Sequence, residues 1–310
     1  MKVFLTGGRG MVGLAIQGHV HAGEHQIVAP TRLELDLTDR AAVMAAMNAE
    51  RPDMVIHSAG RVGGIQANMA NPAAFLSDNL DMGFNTVLAA RAADVPYVLN
   101  LGSSCMYPHD APNPLREDHL GKGELEPTNE GYGLAKVAVA RLCDFVSRES
   151  PNLAYKTLIP CNLYGLNDKF DPKVSHLVPA IIRKVHEAKV AGSKTVEVWG
   201  DGTARREFMF SADLADAVWS AVHRFDDVPQ VMNVGLGYDY SINEYYAEAA
   251  KVIGWTGDFV HDLSKPTGMK QKLLSVDTQT AFGWQPQTTL PDGIARTYAH
   301  FKDLLQRGEA

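Results

Sequence analysis

Two side chains four residues apart carry the first chemical suggestion in this sequence. Tyr132 and Lys136 stand in Gly131-Tyr132-Gly133-Leu134-Ala135-Lys136, and on a helix a spacing of four puts both on one face. An ammonium beside a phenol favours the phenolate and makes the tyrosine a usable proton donor near neutral pH. Such pairs are common on helices and mean little alone. Ser103 adds weight. It lies in Gly102-Ser103-Ser104-Cys105-Met106-Tyr107-Pro108, where an apolar run breaks open. The same stretch holds Cys105, one of only three cysteines. A thiol there can fill space, as buried cysteine usually does, or it can exchange protons with a substrate. Cys143 and Cys161 read as packing, Ser104 as a structural hydroxyl, and His57, inside Val55-Ile56-His57-Ser58, as a satisfied core histidine.

A second constellation lies at the N-terminus. Gly7, Gly8, Arg9, Gly10, Met11, Val12 and Gly13 follow a short apolar run and open a helix-like segment. Glycines in a strand–turn–helix context permit a tight turn and let backbone N–H groups approach a pyrophosphate at the positive helix end. A site for NAD would place an acid at the end of the second strand. That strand instead ends Val28-Ala29-Pro30-Thr31-Arg32, with no acid before Glu34. Arg32 and Arg9 could hold a 2′-phosphate through forked hydrogen bonds, so the expected cofactor is NADP(H).

These groups need a scaffold, and the apolar pattern supplies one. Short runs at Val3–Thr6, Gln26–Ala29, Met54–His57, Tyr97–Leu101 and Thr157–Pro160 alternate with helix-compatible segments at Ala41–Ala49, Asn79–Ala93 and Lys136–Ser147. This alternation indicates an α/β fold with a doubly wound parallel sheet and crossover helices. The second half predicts a helix over Val174–Lys189, strands at Thr195–Trp199 and Gln230–Val234, and a helix over Ala212–Arg224. The expected division is a dinucleotide-binding domain over 1–165, with a return segment at about 208–235, and a smaller α/β substrate-binding lobe mainly over 166–310.

The bulk numbers narrow the class. The chain has 310 residues, 45% hydrophobic and 21% charged, with net charge −7. An acidic balance argues against nucleic-acid or anionic-membrane partners. Three cysteines cannot all pair and lack metal-type spacing, which fits a reducing, cytoplasmic setting. No apolar run reaches membrane-spanning length, and no metal is expected.

The motifs together resemble the extended short-chain dehydrogenase/reductases, which act on nucleotide sugars. The matching segments are GGRGMVG, RVGGI at Arg61–Ile65, GSSCMYP, EPTNEGYGLAK at Glu126–Lys136, CNLYG at Cys161–Gly165, SHLVPA at Ser175–Ala180 and VWGDGTARREF at Val198–Phe208. The resemblance implies a Rossmann-type fold in which Ser103 and Tyr132 bind and protonate the substrate oxygen. It implies that Lys136 holds the nicotinamide ribose, and that Asn162, Leu163 and His176 also line the cofactor site. The pairing of GSSCMYP with SHLVPA implies a GDP-linked 4-keto-6-deoxy sugar, inverted at C3 and C5 and reduced at C4, with Cys105 and His176 moving the protons. Lys184, Trp199 and Arg206 would line the GDP-sugar site. A homodimer joined by the helix of Tyr132 and the one before it is implied too.

This chain departs from the pattern at Lys184, where many relatives carry arginine, and at Thr267 and Ser275, where the family carries acids. A 3-deoxy substrate inverted only at C5 fits the same catalytic set. An NADP-binding module without catalysis remains the reading from a different class.

Overall fold

A computed structural model describes residues 1–172, 174–265 and 269–309. The first half contains strands β1 (Lys2–Thr6), β2 (Gln26–Val28), β3 (Met54–His57), β4 (Tyr97–Leu101) and β5 (Ala154–Pro160). Helices α1 (Met11–Gln17), α2 (Arg40–Glu50), α3 (Ile65–Ala70), α4 (Pro72–Ala92) and α5 (Glu130–Glu149) lie between them. Beyond β5 come β6 (Asn162–Tyr164), α6 (Leu177–Ala191), β7 (Thr195–Trp199), β8 (Arg205–Arg206), β9 (Phe208–Phe210), α7 (Ser211–His223) and β10 (Val231–Val234). The last part holds β11 (Tyr240–Ser241), α8 (Ile242–Ile253), β12 (Asp258–Asp262), β13 (Gln271–Lys272), α9 (Asp277–Phe282) and α10 (Leu290–Arg307).

The central sheet has the order β10-β5-β4-β3-β1-β2, and every pairing is parallel. A parallel sheet is covered on both faces, so its strands are apolar on both sides. β1 shows the division. Val3 and Leu5 pack with Ile16, Leu214 and Trp219 on the side of α1 and α7. Phe4 packs with Val43, Met47, Val87, Val139 and Cys143 on the side of α2, α4 and α5. The order in which strands are added reverses at β1, which lies between β2 and β3, and this opens a crevice at the carboxyl edge. The glycine loop follows β1 there.

α4 and α5 approach closely because Gly83 faces Val139, where any Cβ would collide with the valine methyls. The alanines of these helices, Ala89, Ala90, Ala135 and Ala140, are buried within the chain. A separate core joins Tyr164, Ile181, Ile182, Val185, Val198, Phe208, Tyr245, Ile294 and Phe301. It organises the smaller lobe around α6, α8 and α10. Leu274, Phe282 and Trp284, late in the chain, return to the first core.

Strand expectations at Met54–His57, Tyr97–Leu101 and Thr195–Trp199 match the elements residue for residue. β5 begins three residues before the expected Thr157, and α4 begins at Pro72, seven residues before the expected Asn79. Proline suits the first turn of a helix, where its missing N–H has no partner to lose. No helix among the described residues is long and apolar enough to cross a membrane.

Candidate active site

The glycine loop is shaped by contact. Gly7 adopts φ +72°, and a Cβ there would lie 2.7 Å from Ala59 N. A side chain on Gly13 would overlap the carbonyl of Gly7. The turn closes with Gly10 N donating to Gly7 O at 3.0 Å, and Met11 and Val12 begin α1. Bare backbone at a helix start is the cradle a pyrophosphate requires.

Arg9 and Arg32 are both solvent-exposed at this edge. Arg9 lies close enough to Glu34, and Arg32 to Asp36, to help hold those carboxyls below the usual range, mainly through hydrogen bonds from Thr31 and Thr38 respectively. Glu34 accepts the Thr31 N–H at 2.7 Å. The first acid after the second strand is therefore committed to its own turn, while two arginines present their guanidinium groups to solvent.

Across the crevice, β4 ends and the chain turns through a short 3-10 helix at Ser104–Met106, capped by Ser103, whose Oγ accepts the Cys105 N–H at 3.3 Å. Gly133 on α5 permits the next step. A Cβ on Gly133 would sit 2.6 Å from Cys105 O, so only glycine lets α5 press against this turn. Tyr132, one residue earlier, then hydrogen-bonds with Ser103. Lys136 is 6% exposed, and its Nζ donates to Leu101 O at 2.9 Å. Gly60 closes over it, since a Cβ there would lie 3.8 Å from that Nζ. Ser103, Tyr132 and Lys136 thus converge, as their motifs predict.

The electrostatics differ from expectation at Tyr132. Burial, followed by the nearby Cys105, raises its phenol above the ordinary range, and the Ser103 hydrogen bond only partly offsets this. The ammonium of Lys136 lies 5.9 Å from the ring centroid and is itself buried, which pulls it down to about 8. Desolvation of both groups outweighs their attraction in the ligand-free chain. Tyr132 rests as a phenol.

Cys105 is half-buried, and its Sγ has two donors. Asn129 Nδ2 lies 3.3 Å away and Lys272 Nζ 3.4 Å away. Neither was singled out from sequence, although Asn129 sits inside EPTNEGYGLAK and Lys272 lies between Thr267 and Ser275. Asn129 occupies the N-cap position of α5 but turns its side chain to the thiol instead of the helix. Its Oδ1 is shielded from solvent and has no hydrogen-bond partner, a costly state that a polar ligand would relieve. The other thiols are inert packing as expected. Burial pushes Cys143 up to about 12 and Cys161 well above its usual range. His57 is a core residue bonded to Thr6 Oγ1 at 2.9 Å, and burial drives it down to about 3. Tyr107 is structural too, its hydroxyl 2.5 Å from Asn233 Oδ1.

His176 is the N-cap residue of α6. Burial, then the charge of Lys169, lowers its pKa, so the ring is neutral near neutral pH. The RVGGI loop reaches this segment, for a Cβ on Gly64 would lie 3.3 Å from Ser175 O. Asp168, unforeseen from sequence, precedes it. Burial raises this acid to about 7, and its Oδ2 has no hydrogen-bond partner. Asn162 Nδ2 donates to Glu207 O at 3.0 Å and Leu163 is half-buried in the same short strand. Glu207 was also missed. Fully buried, it accepts backbone N–H groups from Leu236, Gly237 and Leu274, tying β9 to the segment that carries Lys272.

In the smaller lobe the structure brings Lys184 and Trp199 together. Lys184 Nζ lies 5.4 Å from the indole centroid, and Lys265 Nζ lies 5.7 Å away. The indole is 42% exposed. Arg206 pairs in register with Lys272 across β8 and β13, which places it next to the thiol's donor. The neighbouring Arg205 is held by Asp239, and Arg183, beside Lys184, by Glu187. Ser275 is buried, with Oγ 3.0 Å from Asp277 Oδ2. Thr267 lies outside the described residues.

A crevice at the carboxyl edge of a doubly wound sheet, with a glycine loop and a Ser–Tyr–Lys set, defines a nucleotide-dependent oxidoreductase. The chain belongs to the NAD dependent epimerase/dehydratase family, which it matches over residues 3–235. It is 47% identical to a GDP-L-colitose synthase of Yersinia pseudotuberculosis over 97% of this chain and 98% of that protein. It is also 47% identical to a GDP-L-fucose synthase of Azorhizobium caulinodans, over 97% of this chain and 96% of that one. Among solved structures, a GDP-mannoheptose C4 reductase from Campylobacter jejuni with NADP bound superposes with TM-score 0.89 at 31% identity, covering 97% and 98% of the two chains.

Proposed function

We propose that this chain is an NADPH-dependent epimerase–reductase that converts GDP-4-keto-6-deoxy-D-mannose to GDP-L-fucose. The observation that carries the reading is Cys105 Sγ, flanked by Asn129 and Lys272, one short turn from the Ser103–Tyr132 oxygen site. A plain reductase has no use for a thiol so placed. Gly7, Gly8, Gly10, Met11, Val12 and Gly13 fit a pyrophosphate, Arg9 and Arg32 a 2′-phosphate, and Lys136, Asn162, Leu163 and His176 the nicotinamide half. Bound there, NADPH supplies the hydride for C4.

The chain's own groups do the rest. A C4 ketone acidifies C3–H and C5–H. Ser103 and Tyr132 hold the oxygen as negative charge grows on it, the larger contribution in reactions of this kind. Cys105, with two N–H donors aimed at its sulfur, gives up its own proton to solvent and takes the carbon-bound one as thiolate, and His176, neutral at rest, picks up a solvent proton before returning it to the opposite face. Positioned acid–base groups contribute about 10²–10⁴-fold each. Tyr132, resting as a phenol, protonates the C4 oxygen during reduction. Lys184, Trp199 and Arg206 bind the GDP end through charge and an indole face.

The GDP-L-colitose reading, with a 3-deoxy substrate, stays open because relatives of both names are equally similar at 47%. We place the cofactor half at 1–165 with 208–235, the substrate half mainly at 166–310, and the protein in the cytoplasm. It pairs as a homodimer through α4 and α5, a reading supported by exposed Leu134 and Phe145 on α5. The test is incubation with NADPH and GDP-4-keto-6-deoxymannose in deuterated buffer. GDP-L-fucose deuterated at C3 and C5 is expected. An unepimerised D-sugar would contradict the epimerase half, and turnover of only the 3-deoxy ketone would reassign the substrate.

A further inference from the structure

Four histidines converge at the end of α1 remote from the glycine loop. His19, His21 and His25 lie in or beside the short 3-10 helix Val20–Glu24, and His223 is the last residue of α7. His21 Nδ1 is 2.6 Å from Glu24 Oε1, and His223 Nε2 is 3.4 Å from Glu24 Oε2. The three ligand atoms offered by His21, Glu24 and His223 all fall within 4.8 Å of one another. The His21 and His223 rings meet edge to face at 4.7 Å.

One further observation points to a missing ligand. His25 is stacked flat on Trp219 at 4.8 Å, with its ring centroid 5.7 Å from that of His223. Both its ring nitrogens are shielded from solvent and have no hydrogen-bond partner, a state that costs stability unless something fills it. His19 is meanwhile committed to holding the cluster. Its Nδ1 accepts the His21 N–H at 3.3 Å, while Nε2 faces Asp216 Oδ1 at 3.3 Å. His223 also terminates α7, where the helix dipole favours a cation.

We propose that His21, Glu24 and His223 form a divalent transition-metal site of the zinc class, with His25 beside its fourth position. Two imidazoles and a carboxylate are ordinary zinc donors. Tetrahedral zinc holds such atoms about 3.3 Å apart, so the widest pair must close by side-chain rotation alone. The metal replaces the His21–Glu24 and His223–Glu24 contacts and pins the turn after α1 to α7. The site is structural, since it lies where β2 begins, at the amino edge of the sheet, opposite the carboxyl edge that carries Ser103, Cys105 and Tyr132.

The test uses untagged, chelator-stripped full-length protein titrated with Zn²⁺ alone, read by calorimetry and by the melting midpoint. One saturable equivalent and a raised midpoint are expected, with Co²⁺ giving the visible spectrum of a tetrahedral N/O site. His223→Ala and His21→Ala should each weaken binding on the order of 100-fold, while Cys105→Ser should leave it intact. Absence of saturable binding, or binding that survives both histidine substitutions, would overturn the proposal. Loss in the Cys105→Ser variant would place the metal on the thiol and overturn it equally.

Discussion

Lys272 Nζ lies 3.4 Å from Cys105 Sγ, a contact made across 167 residues of chain. Lys272 is only 8% exposed, and β13 sets it in register with Arg206 on β8. The ladder that positions the proposed diphosphate ligand thus also presents an ammonium to the thiol. Substrate binding in the smaller lobe and proton transfer at the sheet edge share one backbone element.

Lys272→Met should slow alkylation of Cys105 by iodoacetamide at neutral pH several-fold, because it removes the cation 3.4 Å from the attacking sulfur. Lys272→Arg should restore most of the rate. Cys143 and Cys161 are buried with raised pKa values, so alkylation reports on Cys105. An unchanged rate in the Met variant would make the lysine a packing residue.

Gly133→Ala should cost about 1–3 kcal/mol in urea denaturation, the range for overpacking. Its Cβ would meet Cys105 O at 2.6 Å and Leu125 Cδ1 at 2.9 Å. Turnover should fall further than stability, since the displaced atoms carry the thiol. Gly23→Ala, where a Cβ meets nothing within 4 Å, serves as the near-neutral comparison.

Lys136 predicts a pH dependence of stability. Burial lowers the folded pKa to about 8 from the ordinary 10.5. Between these values the unfolded chain binds more protons than the folded one, so this group's contribution to stability rises with pH through that window. It is most unfavourable below about 8, where a buried ammonium must be kept. Urea midpoints of the ligand-free protein should therefore gain on those of Lys136→Met between pH 8 and 10.5. Parallel curves would refute the burial argument.

Arg32→Ala and Arg9→Ala should each raise the KM for NADPH about 10–100-fold, the worth of a charge-assisted hydrogen bond, and leave that for NADH nearly unchanged. Equal losses for both cofactors would remove these residues from 2′-phosphate recognition.

Much of the scaffold was legible in sequence because β1, β3 and β4 are short, mostly apolar runs bounded by breakers. β5 was cut short because Lys156 sits within it, and its ammonium escapes the sheet by reaching Phe225 O at 2.6 Å. The two-residue strands β8, β11 and β13 have no periodicity to read. Ser103, Tyr132 and Lys136 were legible because local spacing and a strand end place them. Asn129 and Lys272 were not, since only tertiary closure brings them to the sulfur. The direction of the Tyr132 shift was misread for a related reason. Spacing reveals the neighbouring ammonium but not the desolvation that outweighs it.

The central claim is that Cys105 moves protons at the carbons flanking the ketone. The direct measurement is solvent deuterium uptake at C3 and C5 of GDP-4-keto-6-deoxymannose, with NADP⁺ present so that reduction does not consume the ketone. Wild-type protein should exchange both positions. Cys105→Ser should lose exchange by at least about 10²-fold while binding NADPH with unchanged affinity. Undiminished uptake in that variant would contradict the account and leave the thiol as packing.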